Sequence, residues 1–188
     1  MSNSVLSLTN HELFLVSCCE AGNDNAMIAS WLLPATLAPS QPRLLLAASV
    51  SNLTTEMLRR RGSFAVQMLD SEQLGLLVRF GLYSGRDRNK WIADDGSDLR
   101  ALRTPAGHAL LAGGCGWADC TTAFELDLGD RLIVVADIGA QDIVLDREPL
   151  RKKDALTRLP PDQAVSLAKK ALDDGERDAK LMRQAQGM

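Results

Sequence analysis

Residues 23–51 read NDNAMIASWLLPATLAPSQPRLLLAASVS and contain two apolar runs joined by a proline-rich connection. Both runs are short and aliphatic, so residues 26–33 and 43–50 are predicted to form strands, whereas the prolines keep residues 34–42 out of a central ladder. Small and hydroxyl-bearing side chains stand within the first run and close the second. Small side chains let a flat ligand approach backbone amides, as glycine does. We therefore expect these two strands to flank a binding site.

The rest of the chain shows mostly the apolar patterns of strands. Further strands are predicted at residues 11–19, 63–69, 109–111, 117–126 and 131–138. A turn at residues 21–25 follows the first of them, and Gly129 supplies the flexible position of a hairpin turn between the last two. The chain is therefore predicted to be mainly β.

Two short helices are predicted between the strands. The first follows residue 51, with Thr54 or Thr55 as its N-cap and Gly62 at its end. The second begins at Ser71 as N-cap and ends at Gly81. Both are short enough to sit at the rim of a sheet.

The later part of the chain contains a long polar segment and a C-terminal helix. Residues 83–106 are charged and contain glycine, and a loop of this length in a compact domain is usually functional or mobile. Its cations are exposed by default. Near Pro161 a helix begins, with one apolar face over residues 165–172. Beyond Gly175 we expect an appendage that either packs on a partner subunit or frays.

Composition and charge exclude several classes of function. The chain has 188 residues, 46% of them hydrophobic and 24% charged, which is typical of a globular protein. A net charge of -3 provides no basic field, so a nucleic-acid partner is not expected. No apolar run is long enough to span a bilayer, and the N-terminus has no secretory signal pattern. We expect a cytoplasmic protein without a membrane partner.

Cysteine and histidine usage argues against metal sites and ordinary hydrolase chemistry. The cysteines, at residues 18, 19, 115 and 120, lack the spacing of a zinc knuckle and are interpreted as buried or incidental thiols. His11 and His108 are the two histidines, and neither lies in a recognisable nucleophile–base motif. No metal is therefore expected.

Several weak motifs follow one another in a recognisable order. They are NAMIASW at residues 25–31, RLLLAAS at 43–49, LTTEML at 53–58, GSFAVQML at 62–69, NKW at 89–91, Thr-Pro at 104–105 and GDRLIVVADI at 129–138. No single motif is specific. Their order over residues 12–144 resembles the flavin reductase-like family, whose members have an FMN-binding split-barrel domain.

This resemblance implies a fold and an activity. The implied fold is mainly β (α+β): a closed antiparallel Greek-key split barrel with short rim helices over residues 1–150, and a C-terminal helical extension over residues 151–188. It also implies a homodimer that holds FMN, or FAD, and takes electrons from NADH or NADPH for a monooxygenase or another acceptor. Hydride transfer asks little of acid or base side chains, so no catalytic residue is assigned.

The resemblance also implies a set of cofactor-binding residues. Along the isoalloxazine ring and ribityl chain it places Asn25, Met27, Ala29, Ser30 and Trp31. Around the ribityl chain and phosphate it places Ser49, Val50, Ser51 and Thr54, where hydroxyls and a helix N-terminus favour an anion. Lys90 matches a cation that reaches the phosphate or a nucleotide.

Each of these residues has a structural alternative. Met27 and Trp31 lie on the same side of a predicted strand and are equally compatible with core positions. Ser30 is also compatible with a strand position whose hydroxyl hydrogen-bonds within the protein, and Thr54 with a helix N-cap that contacts no ligand. Lys90 is compatible with a solvated surface charge.

Two departures from the family pattern leave the activity open. Residues 49–52 (SVSN) lack the cation that relatives often carry after the third strand, and Arg131 stands where many relatives carry a histidine near the nicotinamide. The predicted function is NAD(P)H-dependent reduction of FMN or FAD. An FMN-binding electron carrier or sensor without NAD(P)H activity, and a non-catalytic interaction domain, remain alternatives.

Overall fold

The computed structural model describes residues 5–185, and an antiparallel sheet of seven strands dominates it. Its strands are β1 (Phe14–Glu20), β2 (Asn23–Ala29), β3 (Leu32–Pro34), β4 (Arg43–Ser49), β5 (Ser63–Met68), β8 (Gly116–Asp127) and β9 (Arg131–Ile143). A separate pair consists of β6 (Leu102–Arg103) and β7 (Ala109–Leu110). The helices are α1 (Leu53–Arg61), α2 (Leu77–Leu82), α3 (Lys152–Arg158) and α4 (Pro161–Ala185), with 3-10 turns at Val5–Leu8 and Ser71–Leu76.

The connection between β2 and β3 shows that the sheet curls. The strand order is β2-β1-β5-β8-β9-β4-β3, so these two strands lie at opposite ends of the sheet. Only Ser30 and Trp31 separate them along the chain, and a stretch from residue 29 to residue 32 spans at most about 11 Å. The two ends must therefore approach each other, which gives a curled half-barrel. Among residues 5–185 no ladder joins β2 to β3, so the predicted closure of the barrel stays a prediction.

The inside of the curled sheet is filled by side chains that alternate along the strands. In β4 every second residue is buried, and the register pairs Leu44 with Ala136 and Leu46 with Val134 of β9. Directly paired residues point to the same face, so both strands contribute to one core. A second cluster lies outside the sheet, where Phe80 packs edge-on against buried Trp91 at 5.1 Å between ring centroids.

The second strand differs from its prediction. The sequence predicts one strand over residues 26–33 after a turn at residues 21–25, and both parts are wrong in detail. The turn consists of Ala21 and Gly22 with φ of 48° and 80°, and positive φ at both positions is the requirement of a type I′ hairpin turn. The strand breaks after Ala29 because the chain crosses to the other end of the sheet, where the Trp31 carbonyl accepts a hydrogen bond from the Ala47 amide.

The helix N-caps also shift by one to three residues. The N-cap of α1 is Asn52, whereas Thr54 and Thr55, the two predicted caps, are buried in its first turn. Gly62 ends α1 in the left-handed conformation, as predicted. Asp70, not Ser71, caps the next helical segment, because its carboxylate accepts a hydrogen bond from the backbone N–H of Glu72.

The C-terminal helix is longer than predicted and packs on its own chain. α4 runs through Gly175 to Ala185, and Leu167 on its first half lies against Gly81 of α2. On its second half the buried Asp178 pairs with Arg131 of β9 at 2.6 Å. The expectation that this segment frays is therefore wrong up to residue 185, whereas its packing on a partner subunit stays a prediction. Within residues 5–185, none of the helices combines the length and apolar character needed to cross a bilayer.

Candidate functional site

A cavity of about 370 Å³ lies between the end of β2, the start of α1, α2 and α4. Small-molecule sites usually have volumes of about 300–1,000 Å³. The lining comes from four stretches: residues 25–28, residues 51–54, residues 80–90 and the inner face of α4. The long loop between α2 and β6 therefore contributes to a site, as its length predicts.

Asn25 and Met27 attach the end of β2 to the first turn of α1. The Asn25 carboxamide donates to the Thr54 hydroxyl at 3.1 Å, and both residues are buried. The Met27 sulfur accepts from the side chains of Asn52 at 3.3 Å and Thr55 at 3.8 Å. Asn25 and Thr54, both assigned to a ligand from the sequence, thus hold each other in place, while Met27 is held by two neighbours of Thr54.

Gly85 approaches the Asn25 carboxamide so closely that no side chain fits between them. A Cβ built on this glycine would lie 2.3 Å from the Asn25 Oδ1. The backbone of the loop therefore forms one wall of the cavity directly, which is a common reason for glycine beside a ligand.

The start of α1 offers an environment that favours an anion. The first backbone N–H groups of a helix have no intrahelical partner, and the helix dipole makes this end positive. Ser51, Asn52 and Thr54 surround it within the cavity. The one carboxylate of the first turn, Glu56, is neutralised by Arg86, which also donates to the Ser51 carbonyl at 3.1 Å.

Lys90 is buried beside the cavity, with only 4% of its surface exposed. Its Nζ donates to the Ala26 carbonyl and lies 6.0 Å from the centroid of the Phe80 ring. Burial, together with the like charge of Lys170, lowers the pKa of Lys90 to about 8. The default interpretation of a solvated cation is therefore wrong for this residue, because its stem is enclosed by the apolar cluster under α2.

Two cations of α4, which the sequence analysis did not single out, also line the cavity. Lys170 and Arg177 pair with the Asp174 carboxylate between them at 2.9 and 2.8 Å. The Arg177 Nη2 lies 3.5 Å from the Ser49 hydroxyl. In the sequence, a charged helix face with this spacing is indistinguishable from an ordinary solvated face.

Arg131 does not face the cavity as a free cation. Besides its pair with Asp178, its guanidinium lies 5.2 Å from the centroid of the Trp31 ring. Trp31 is 51% exposed, so the alternative of a core tryptophan is wrong. Met27, in contrast, is buried, because the strand ends between the two residues.

The structure brings together half of the sequence-predicted site. The cavity is lined by Asn25, Met27, Ser51, Thr54 and Lys90. The lining among the described residues does not include Ala29, Ser30, Trp31, Ser49 or Val50. Of these, Ala29 and Val50 pack against the inner core, and Ser30 borders a neighbouring groove between the sheet, α3 and α4.

Thiols and imidazoles lie away from the cavity. Cys18, Cys115 and Cys120 are buried, as predicted, and burial raises the pKa of Cys18 and of Cys120 to about 12. His108 is fully buried and its Nδ1 accepts from the Cys19 backbone N–H. Within the described part of the chain, no three His, Cys, Asp or Glu side chains are placed to hold a metal ion.

The residues present fit a flavin. Phe80 and Ile28 supply apolar surface, while Asn25 and Thr54 supply an amide and a hydroxyl. The Arg177 Nε is buried without a hydrogen-bond partner among residues 5–185, which leaves a donor for an acceptor not supplied by the chain. An aromatic ring system with a polar edge and an anionic tail matches this set of groups.

Comparison with known proteins agrees with this chemistry. The flavin reductase like domain matches residues 6–154. The chain is 25% identical over 132 residues to HsaB, the reductase subunit of a flavin-dependent monooxygenase of Rhodococcus jostii (strain RHA1). That alignment covers 70% of this chain and 64% of HsaB, so it spans less than two thirds of the relative.

Solved structures show the same fold. The Streptomyces globisporus NADH:FAD oxidoreductase SgcE6 superposes with a TM-score of 0.68 at 19% identity, over 78% of this chain and 84% of that one. An FMN-binding protein from Thermus thermophilus superposes with a TM-score of 0.64 at 17% identity, over 76% of each chain. The domain match extends over most of the sequence, including every strand of the curled sheet. The chain belongs to the flavin reductase-like family.

Proposed function

We propose that the chain binds a flavin in the cavity between β2, α1, α2 and α4 and reduces it with NADH or NADPH. The observation that carries this proposal is the convergence of Asn25, Met27, Ser51, Thr54 and Lys90 on one cavity in a chain of this family. The names of SgcE6, an NADH:FAD oxidoreductase, and of the Thermus FMN-binding protein support a flavin as the ligand.

The side chains of the cavity would bind and orient the cofactor. Asn25 and Thr54 offer polar contacts to the ring edge or ribityl chain, and the start of α1 with Ser51 offers donors to a phosphate. Lys90 adds positive charge in a poorly solvated position, where its field on an anion is strong. When bound, a flavin supplies the hydride-accepting chemistry itself.

This chemistry is compatible with the polar groups that the site contains. Hydride transfer needs orientation and electrostatic tuning more than a general acid or base. The lining within residues 5–185 contains neither His nor Cys, so binding and positioning are the work of its amides, hydroxyls and cations.

Several finer properties belong to the same proposal. We infer that the bound form is FMN, with FAD as its competitor. We also infer that residues 1–150 form a closed barrel and residues 151–188 an extension. The protein is inferred to be a cytoplasmic homodimer. Exposed apolar side chains on β3 and β8, Leu33 and Phe124 among them, support an interface between copies. The HsaB name supports a monooxygenase as electron acceptor. Ala29, Ser30, Trp31, Ser49 and Val50 would complete the site.

A second candidate function is a flavin-binding electron carrier or sensor without NAD(P)H activity. It is favoured by the position of Arg131, which stands in place of the expected histidine and is held by Asp178 and the Trp31 ring. A residue engaged in this way is not free to contact a nicotinamide.

An anaerobic absorption experiment separates these candidates. Purified protein is loaded with FMN or FAD, desalted and titrated with NADH and with NADPH. Loss of the visible absorbance of the oxidised flavin supports the reductase. Flavin that is retained but not reduced supports the carrier. Protein that retains no flavin and shows no flavin affinity contradicts both and favours a non-catalytic interaction domain.

A further inference from the structure

The wall of the cavity formed by α4 lies outside the part of the chain that matches the family. The match ends at residue 154, whereas α4 begins at Pro161. Lys170, Asp174 and Arg177 of this helix nevertheless line the cavity. The site of this protein therefore includes a segment that the family domain does not contain.

The three residues present one polar face of α4 to the cavity. They occur at spacings of four and three, which places them on the same side of a helix. Asp174 pairs with both cations, and Arg177 also lies 3.3 Å from the Asp178 carboxylate. Because Arg131 balances Asp178 at the shorter distance of 2.6 Å, Lys170, Asp174 and Arg177 together carry one net positive charge. Arg177 additionally reaches the Ser49 hydroxyl, and its Nε is buried without a partner within residues 5–185.

The sheet itself leaves an anion at this end of the cavity without a free cation. Residues 49–52 contain no Lys or Arg. The neighbouring Arg86 pairs with Glu56, and Arg131 pairs with Asp178. Lys90, another cation of the lining, has its Nζ engaged with the Ala26 carbonyl. The groups left at the start of α1 are hydroxyls and backbone amides, which position an anion but carry no full charge.

The position of α4 is fixed along its length. Its first half contacts α2 through Leu167, and its second half is held by the buried pair of Asp178 with Arg131. Near its end, Ala185 and Leu181 lie against Gly129 in the turn between β8 and β9. Cations on a docked helix lose little freedom on binding, so they contribute more affinity than cations on a loose tail.

We propose that α4 supplies the phosphate-binding cations of the flavin site, with Arg177 as the principal one and Lys170 as the second. This proposal rests on the proposed function. It makes the C-terminal extension the element that distinguishes a phosphorylated flavin from riboflavin.

The test compares FMN with riboflavin, which shares the ring and ribityl chain but has no phosphate. Dissociation constants are measured from flavin fluorescence for the wild type, Arg177→Gln and Lys170→Gln. Lys169→Gln is the matched control, because Lys169 is an exposed neighbour with its own pair to Asp173. Removing a charge-assisted hydrogen bond to a phosphate weakens FMN binding by about tenfold or more for Arg177→Gln, and by less for Lys170→Gln.

The riboflavin measurements separate a phosphate contact from a structural role. The proposal requires unchanged riboflavin affinity in every variant and unchanged FMN affinity in Lys169→Gln. Equal losses for FMN and riboflavin in Arg177→Gln would mean that α4 only packs, and unchanged FMN affinity would mean that the arginine is not a ligand. If the wild type binds both flavins equally, the inference fails while the proposed function stands. If it binds neither, both fail.

Discussion

Lys90 is expected to lower the stability of the ligand-free protein. Its ammonium group is buried, with the Ala26 carbonyl as hydrogen-bond acceptor, and its pKa falls from 10.5 to about 8. Each tenfold change in a proton-binding constant corresponds to about 1.4 kcal/mol, so holding the charged form in the folded protein costs about 3 kcal/mol at pH 7. Replacing Lys90 by Met removes the charge and keeps an apolar stem of similar length.

The sign of the pH dependence follows from the lowered pKa. Below a pH of about 8 the amine is protonated in both states and the cost is complete, whereas above a pH of about 10.5 it is neutral in both and the cost disappears. When the pH is raised from about 7 to about 9.5, the loss of this cost alone increases the free energy of unfolding of the wild type by about 2 kcal/mol. Lys170, Asp174 and Asp87 also face the cavity, so only the difference between wild type and Lys90→Met isolates the effect.

Urea unfolding of the ligand-free proteins measures this difference. Lys90→Met should be more stable than the wild type by about 3 kcal/mol at pH 7 and by about 1 kcal/mol at pH 9.5. Lys169→Met, at an exposed position, should match the wild type at both pH values. A less stable Lys90→Met protein at pH 7, or a difference that does not change with pH, would refute the reasoning. The same substitution should weaken FMN binding, as expected of a residue kept for function at the expense of stability.

Two further substitutions test the docking of α4 and the wall of the cavity. Arg131→Ala leaves the buried Asp178 without its closest partner, at a cost of about 2 kcal/mol. Amide hydrogens in the second half of α4 should therefore exchange about 30-fold faster, while the exchange rates of the sheet should not change. Equal changes in exchange rate in α4 and in the sheet would contradict a local role of the Arg131–Asp178 pair. Gly85→Ala displaces the Asn25 carboxamide and should raise the Kd for FMN about tenfold, whereas Gly75→Ala, where the added Cβ meets open space, should leave it unchanged.

The strands that fill the core were predictable because their burial follows a simple alternation. Residues 43–50 and 63–69 were predicted as strands, and β4 (Arg43–Ser49) and β5 (Ser63–Met68) confirm them. The break between β2 and β3 was not predictable, because Ser30 is the only polar residue among residues 26–33 and a single serine is compatible with a continuous strand. The break is imposed by the curl of the whole sheet. This curl depends on strands far apart in the sequence, so a segment of this length does not predict it.

The missed part of the site has a comparable cause. Lys170 and Arg177 are both cations on a charged helix, where a solvated side chain is the ordinary outcome. Their places beside the cavity depend on residues far away in the sequence, Lys90 near Lys170 and Ser49 near Arg177. The predicted residues that line the cavity, Asn25 and Met27 among them, belong to the motifs that carry the family resemblance.

The two departures from the family pattern form one arrangement in three dimensions. Ser49 begins the stretch where the resemblance implies a cation, and Arg131 stands where it implies a histidine. The two residues are directly paired in the ladder between β4 and β9. The consecutive residues Arg177 and Asp178 of α4 contact this pair, one residue on each member. The arginine on β9 binds the aspartate and thereby holds the neighbouring arginine beside the serine. Replacing Arg131 by the shorter histidine would therefore remove the ion pair that anchors the second half of α4 and, with it, the contact that holds Arg177 beside Ser49 at the end of β4.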